Sequence, residues 1–298
     1  MKVDFITVDV FTDRQFGGNP LAVVFGAETL STVQMQSIAA EFNLAETTFV
    51  LPPRDPANTA EVRIFTPRAE LPFAGHPNVG TAFVLAGKGE CFGRKIEGRV
   101  VFEEKAGLVP IEILTASGKV HGARVTSPKP FSRTGELAVD IVAAAVELSP
   151  GDIMTVNHPP VIASCGTPFA IAELKGLSSL GAANPQTSVF RDRFAPEISG
   201  LYLYTREAGQ GADIRCRMFA PLHGIPEDPA TGSANVALIG LLASLASQDF
   251  ISRKIVQGVE MGRPSFLDAA AQKVDGEIRT FIAGSCAPMM SGNMTLHL

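Results

Sequence analysis

The chain has 298 residues, 46% of them hydrophobic and 18% charged, and a formal net charge of −5. That length exceeds one ordinary hydrophobic core and fits two, while the composition is that of a folded protein rather than a disordered one. No basic run is present to displace counterions, which argues against a nucleic-acid or anionic-membrane surface.

The start, Met1-Lys2-Val3-Asp4, is acidic early, and the chain turns polar again at Thr12-Asp13-Arg14. No secretory h-region fits there, and no apolar stretch reaches the roughly 18 residues of a membrane span. A cytoplasmic location is therefore the expectation. Cys91, Cys165, Cys216 and Cys286 are scattered without a C-x-x-C pair, as reduced thiols would be, and the five histidines show no metal-binding spacing. No metal site is proposed by the sequence, and no phosphate-binding loop of glycine-rich type is present.

In chain order, β-branched and aromatic residues predict strands at Val3 to Phe11, Leu21 to Phe25, Thr47 to Leu51 and Val62 to Thr66. Further strands are predicted at Val109 to Leu114, Ile162 to Ser164, Leu201 to Thr205 and Ile214 to Phe219. An amphipathic helix is predicted over Thr32 to Phe42 with Ser31 as N-cap, because Met35, Ile38, Ala39 and Phe42 fall on one face. Another is expected near Leu137 to Leu148. Two stretches are apolar nearly all round, Val79 to Ala86 before Gly87 and Ser233 to Ala243, as helices enclosed by a sheet would be.

The two halves share punctuation. Arg63-Ile64-Phe65-Thr66-Pro67 with Pro72 is echoed by Arg217-Met218-Phe219-Ala220-Pro221 with Pro226, a displacement from 63 to 217 of 154 residues. Upstream, Gly18-Asn19-Pro20-Leu21-Ala22-Val23 is echoed by Gly166-Thr167-Pro168-Phe169-Ala170-Ile171. Two echoes in the same order indicate an internal duplication. We expect lobes at 1–120 and 121–298, with room for the last strand to return to the first lobe; the join falls near Ser117-Gly118-Lys119 or Ser127-Pro128-Lys129-Pro130.

Three polar segments carry the candidate chemistry. Phe73-Ala74-Gly75-His76-Pro77-Asn78 and Glu227-Asp228-Pro229-Ala230-Thr231-Gly232-Ser233 are small-residue turns opening the two enclosed helices. Free N–H groups and the helix dipole favour an anion at such places. In Ala45-Glu46-Thr47 a carboxylate stands at a strand start between apolar neighbours. From the residues alone Glu46 reads as a carboxylate satisfying nearby N–H groups, His76 equally as a helix cap or a catalytic group, and Asp228 as a turn opener. Ser233 lacks the G-x-S-x-G context of a hydrolase nucleophile.

Taken together, Asn19-Pro20-Leu21-Ala22-Val23, Ala45-Glu46-Thr47, Gly75-His76-Pro77, Asp228-Pro229-Ala230-Thr231-Gly232-Ser233-Ala234, Gln257-Gly258 and Met261-Gly262-Arg263-Pro264-Ser265 resemble the PhzF (phenazine biosynthesis-like) family along nearly the whole chain. The resemblance implies an α+β, diaminopimelate epimerase-like fold: two pseudo-symmetric lobes, each a curved, mostly antiparallel sheet around a central helix, with the site between them. It implies a cofactor-independent isomerase acting on a small carboxylate-bearing substrate, and a homodimer. Glu46 matches the general acid/base, His76 and Asp228 match residues that contact substrate and assist proton movement, and Gly75, Gly232 and Ser233 match the turns that hold the substrate carboxylate. A desolvated glutamate that accepts and returns a proton near neutral pH suits such chemistry.

Related epimerases and racemases use a cysteine at the start of each central helix. No cysteine of this chain lies in those turns, which disfavours that mechanism. Asn78 departs from the threonine usual at its place. The alternatives are a non-catalytic ligand- or partner-binding protein of the same fold, and an epimerase or racemase without thiols.

Overall fold

The computed structural model describes residues 1–296. It divides into unit 1, Met1–Pro128 with Ala283–Leu298, and unit 2, Lys129–Ile282. In unit 1 the chain runs β1 (Lys2–Val10), β2 (Asn19–Phe25), α1 (Thr32–Phe42), β3 (Glu46–Leu51), β4 (Ala60–Phe65), β5 (Glu70–Leu71) and α2 (Gly75–Lys88). A short hairpin of β6 (Glu90–Cys91) and β7 (Arg94–Lys95) precedes β8 (Arg99–Glu104), β9 (Gly107–Ala116) and β10 (Lys119–Thr126).

Unit 2 begins with β11 (Ser132–Glu136), α3 (Val139–Ala145), β12 (Ile153–Met154), β13 (Val161–Ser164) and β14 (Pro168–Leu174). It continues through α4 (Leu177–Ala182), α5 (Thr187–Arg193), β15 (Leu201–Thr205), β16 (Ile214–Ala220), β17 (Ile225–Asp228) and α6 (Gly232–Leu245). Last come β18 (Phe250–Gln257), β19 (Ser265–Val274) and β20 (Glu277–Thr295). From Ala283 onward β20 belongs to unit 1.

The strands of unit 1 close on themselves in the order β1, β2, β3, β4, β8, β9, β10, β20 and back to β1. Pairing is antiparallel at β1–β2, β3–β4 and β8–β9 and parallel at β2–β3 and β4–β8. Unit 2 repeats the order of pairing from its first long strand onward. There β13–β14, β15–β16 and β18–β19 are antiparallel, and β14–β15 and β16–β18 are parallel. The internal duplication read in the sequence is thus present in the hydrogen-bonded ladders.

Each unit's sheet wraps one helix. Within α2, Val79, Ala82 and Leu85 are fully buried, and the helix packs on β1, β2, β3, β9 and β10. Along α6 almost every residue from Ala234 to Ala243 is buried, against β13, β14, β18 and β19. A helix surrounded by sheet has no solvent face to mark with polar residues, which is why neither sequence shows an amphipathic period. Both helices admit a close neighbour at a glycine. A Cβ on Gly80 would meet Leu21 Cδ2 at 2.6 Å, and one on Gly240 would meet Phe131 Cδ2 at 2.5 Å.

The remaining helices lie outside the rings. α1 buries Met35, Ile38 and Ala39 in a cluster with Val3, Val24, Phe49 and Phe65. Its predicted limits match, and Ser31 with Gln34 forms a capping box. On unit 2, α3 and α5 cover Ala170, Ala172, Leu201 and Leu203. The helix expected over Leu137 to Leu148 is shorter, Val139–Ala145. Gly87 is not the residue after α2: the helix runs to Lys88 and Gly89 takes the left-handed φ of 74°. No helix is long and apolar enough to cross a membrane among the described residues.

The arginines of the sequence echo perform one task twice. Arg63 makes a two-pronged bond to Glu70 (Nε–Oε1 and Nη2–Oε2, both 2.8 Å) and lies over Phe65. Arg217 does the same to Glu227, again at 2.8 Å twice, and lies over Phe219. Each pair ties a long strand to the short one that delivers the chain to its central helix.

Candidate active site

In unit 1 the structure brings Glu46 and His76 together. Glu46 opens β3, and His76 occupies the first turn of α2; Oε2 of one lies 3.1 Å from Nε2 of the other. His76 is 4% exposed. Asn19, at the start of β2, places its Nδ2 3.4 Å from His76 Nδ1. The ring also donates a hydrogen bond to the Pro20 carbonyl, so Asn19 and Pro20 both hold the imidazole beside Glu46.

Local sequence explains why these groups meet. Strand β2 pairs parallel with β3, so Leu21 stands opposite Glu46 and Asn19 falls beside the mouth of the ring. Gly18 turns the chain into β2 with φ 61°, and any Cβ there would lie 2.3 Å from the Val10 carbonyl. The N-cap of α2 is Ala74, which offers no capping side chain. Asn78 instead turns its Nδ2 back to the Ala74 carbonyl at 3.0 Å.

Burial lowers the pKa of His76 to about 3, opposed by the hydrogen bond that the ring donates to the Pro20 carbonyl. The imidazole is accordingly neutral at pH 7. A neutral ring 3.1 Å from Glu46 does not place a fixed positive charge beside the carboxylate as an imidazolium would.

In unit 2 Asp228 ends β17 and is 7% exposed. Its Oδ2 accepts from the Thr231 hydroxyl at 2.5 Å. Gln257, wholly buried at the end of β18, holds this turn with both ends of its amide. Nε2 donates to the Asp228 carbonyl (2.8 Å) and Thr231 Oγ1 (3.0 Å), while Oε1 accepts from Thr231 N (3.1 Å) and Asn235 Nδ2 (3.0 Å). Gly232 and Ser233 follow as the first residues of α6, with no side-chain cap before them. The turn is therefore braced by Gln257 through the Asp228 carbonyl and the Thr231 amide and hydroxyl.

Two residues beside the Gly75–His76 turn were not singled out for the site by sequence reasoning: Asn19 as partner of His76, and Glu104 beneath α2. Glu104 is 5% exposed, ends β8, and interacts with Asn78. A signal existed. Glu103 and Glu104 are adjacent acids in an otherwise apolar strand, and successive strand residues face opposite sides, so one acid had to face the core.

The four cysteines are buried and unpaired by disulfides. Burial pushes the Cys91 and Cys165 thiols up to about 11 and the other two higher still. None stands in a helix-opening turn.

The family model described as phenazine biosynthesis-like protein (PhzC-PhzF) matches residues 8–292. The chain belongs to the PhzF family. An uncharacterized isomerase of Mesorhizobium japonicum is 38% identical over 88% of this chain and 88% of its own. The trans-2,3-dihydro-3-hydroxyanthranilate isomerase of Pseudomonas chlororaphis is 35% identical over 98% of this chain and 99% of its own. A PhzF-family phenazine biosynthesis protein of Bacillus anthracis has a crystal structure that superposes with a TM-score of 0.89 at 23% identity, covering 99% of this chain and 100% of that one. A hydroxyproline epimerase of Agrobacterium vitis shares the fold at a TM-score of 0.64 and 15% identity. This PhzF-family chain is an isomerase, on an α+β scaffold common to epimerases and racemases.

Proposed function

We propose that the protein moves a proton between carbons of a small carboxylate-bearing substrate, without a cofactor, using Glu46 as the general acid/base. The observation that carries this reading is the buried Glu46–His76 contact of 3.1 Å, with the imidazole held from behind by Asn19. Glu46 Oε accepts the proton from a carbon acidified by its neighbours and returns it to another carbon. The neutral His76 places no fixed positive charge beside the carboxylate.

Relatives 34% and 35% identical are named trans-2,3-dihydro-3-hydroxyanthranilate isomerases, so a cyclic unsaturated amino or hydroxy acid of that class is the substrate we propose. Gly75 of unit 1 and Gly232 and Ser233 of unit 2 are proposed to hold the carboxylate by helix-opening amides, a mode that needs no lysine or arginine. Asp228 is proposed to assist proton movement. A donor well placed for the charge that grows in such a reaction contributes about 3 kcal/mol.

The test is proton exchange followed by NMR in D2O, with cyclic unsaturated carboxylic acids, wild type and Glu46→Gln. Deuterium incorporation or an isomerised product with wild type, absent from the variant, is expected. Either signal undiminished in Glu46→Gln would remove Glu46 as the base. Sedimentation velocity of the same sample tests the homodimer that the family resemblance implies.

A further inference from the structure

The duplication assigns a partner to Glu104. Gln257 is the last residue of β18, which pairs parallel with β16 and antiparallel with β19. Glu104 is the last residue of β8, which pairs parallel with β4 and antiparallel with β9. The displacement from 104 to 257 is 153 residues, beside 154 for the paired arginines. Gln257 bonds the amide of Asn235, and Asn235 Nδ2 turns back to the N-cap carbonyl of Thr231 at 2.9 Å. Glu104 faces the amide of Asn78, and Asn78 Nδ2 turns back to the N-cap carbonyl of Ala74 at 3.0 Å. The two side chains thus hold equivalent places behind equivalent helix-opening turns.

We propose that Glu104 is a positioning residue for the Gly75–His76 turn, the counterpart in unit 1 of the Gln257 clamp in unit 2. It acts through Asn78 and touches no reacting atom.

A glutamine amide offers a donor and an acceptor. A carboxylate offers only acceptors, whereas a protonated carboxyl again offers both. The surroundings favour the protonated form. Among the described residues no charged side chain neutralises Glu104. Its neighbour Glu103 is engaged by Asn58 and the Arg54 and Asp55 amides, and Lys105 bonds Glu70. Across β9 it opposes Gly107, whose strand carries Glu112 bound to Arg124. On β4, Arg63 is taken by Glu70, and Glu61 faces Arg54. From α2 come Asn78 and, two residues earlier, His76. Burial accordingly raises Glu104 to about 8, with only the Asn78 amide pulling the other way.

Two consequences follow for the turn. Below that pH Glu104 imitates Gln257. Above it, a negative charge appears beneath the N-terminus of α2, where the substrate carboxylate is proposed to bind; this part rests on the function proposed above.

The experiment is a pH titration of the Gly75, His76 and Asn78 amides by 15N NMR, in wild type and Glu104→Gln. Wild type is expected to show a common midpoint near the value given by burial, about 8, and the variant none. A midpoint that persists in Glu104→Gln, or a Glu104 carboxyl carbon that titrates near the ordinary value of about 4, would overturn the proposal. With a turnover assay in hand, wild-type KM should rise with pH above that midpoint while kcat changes little. In Glu104→Gln the rise should vanish, with kcat at neutral pH kept within about two-fold. Were neither protein to turn over any substrate, the titration would still decide the role of Glu104, and the failure would lie with the proposed reaction.

Discussion

Asn78 and Asn235 do the same thing in their two units: each bends its side-chain amide back onto the N-cap carbonyl of its own central helix, at 3.0 and 2.9 Å. Ala74 cannot cap a helix, and Thr231 does not bond the first-turn amides with its hydroxyl, which goes to Asp228. Both helices therefore begin without a side-chain acceptor at the cap, and the asparagine braces the turn from inside. A helix start built this way keeps its dipole available for a bound anion.

Glu46→Gln keeps the shape of the side chain and removes its basicity. A fall in kcat of about 10²- to 10⁴-fold is expected, as for loss of a general acid/base. Thermal melting by circular dichroism should change little, which separates lost chemistry from lost fold.

His76 makes stability depend on acid. Its folded pKa lies far below the unfolded value of about 6.5. The unfolded chain therefore binds the extra proton first, and stability should fall as pH drops below about 6.5, by up to about 1.4 kcal/mol per pH unit. Urea denaturation at a series of pH values should show this slope in wild type and its reduction in His76→Gln.

Glu104 acts in the opposite sense. Its folded pKa of about 8 lies above the unfolded value, so the folded state holds the proton longer. Its contribution is fully present below about pH 4 and declines as pH rises toward 8, again by up to about 1.4 kcal/mol per unit. Glu104→Gln should thus be more stable than wild type at pH 7, with the advantage vanishing near pH 4. Equal stability of the two at pH 7 would contradict the buried, neutral acid.

Arg217 is 8% exposed and bonds the Leu180 and Ala183 carbonyls at 2.9 and 2.8 Å besides Glu227. Arg217→Met strands a carboxylate and two carbonyls and should cost about 3–5 kcal/mol, read from the denaturation midpoint. Arg63→Met should cost less, because its partner Glu70 retains Lys105.

Gly240→Ala tests the packing of the second central helix. The new methyl would sit 2.5 Å from Phe131 Cδ2 and 2.9 Å from its Cβ, so the ring cannot simply swing aside. A loss of about 1–3 kcal/mol is expected. Adding Phe131→Leu should recover part of it; a double variant no more stable than the single would place the strain elsewhere.

How legible this was from sequence depended on the kind of signal. Helix α1 was fully readable because Ser31, Gln34 and the Met35–Ile38–Ala39 face act locally. Strands β1 to β4, β9, β13, β15 and β16 and the repeat of Arg63 and Arg217 were readable from propensity and proline spacing, whereas β8 and β10 were not. Strands β18 to β20 were not. Residues such as Ala269-Ala270-Ala271 and Ala283-Gly284-Ser285 have little intrinsic strand preference. They become strands because neighbouring ladders and an enclosed helix require small side chains there. For the site, Glu46, His76 and Asp228 stood out only by family resemblance. The Asn19–His76 contact and the Glu104–Asn78 contact join residues far apart in the chain and leave no local pattern.

The pairing of β1 with β20, from Lys2 opposite Thr295 to Val10 opposite Cys286, bears on the order in which the protein takes shape during synthesis. Unit 2 is contiguous and is complete once Ile282 has emerged from the ribosome. Unit 1, although translated first, lacks its closing strand until the end, and β1 and β10 present unpaired edges meanwhile. Such edges invite association with other chains. The half of the molecule that bears Glu46 and His76 is thus closed only after the contiguous half is complete.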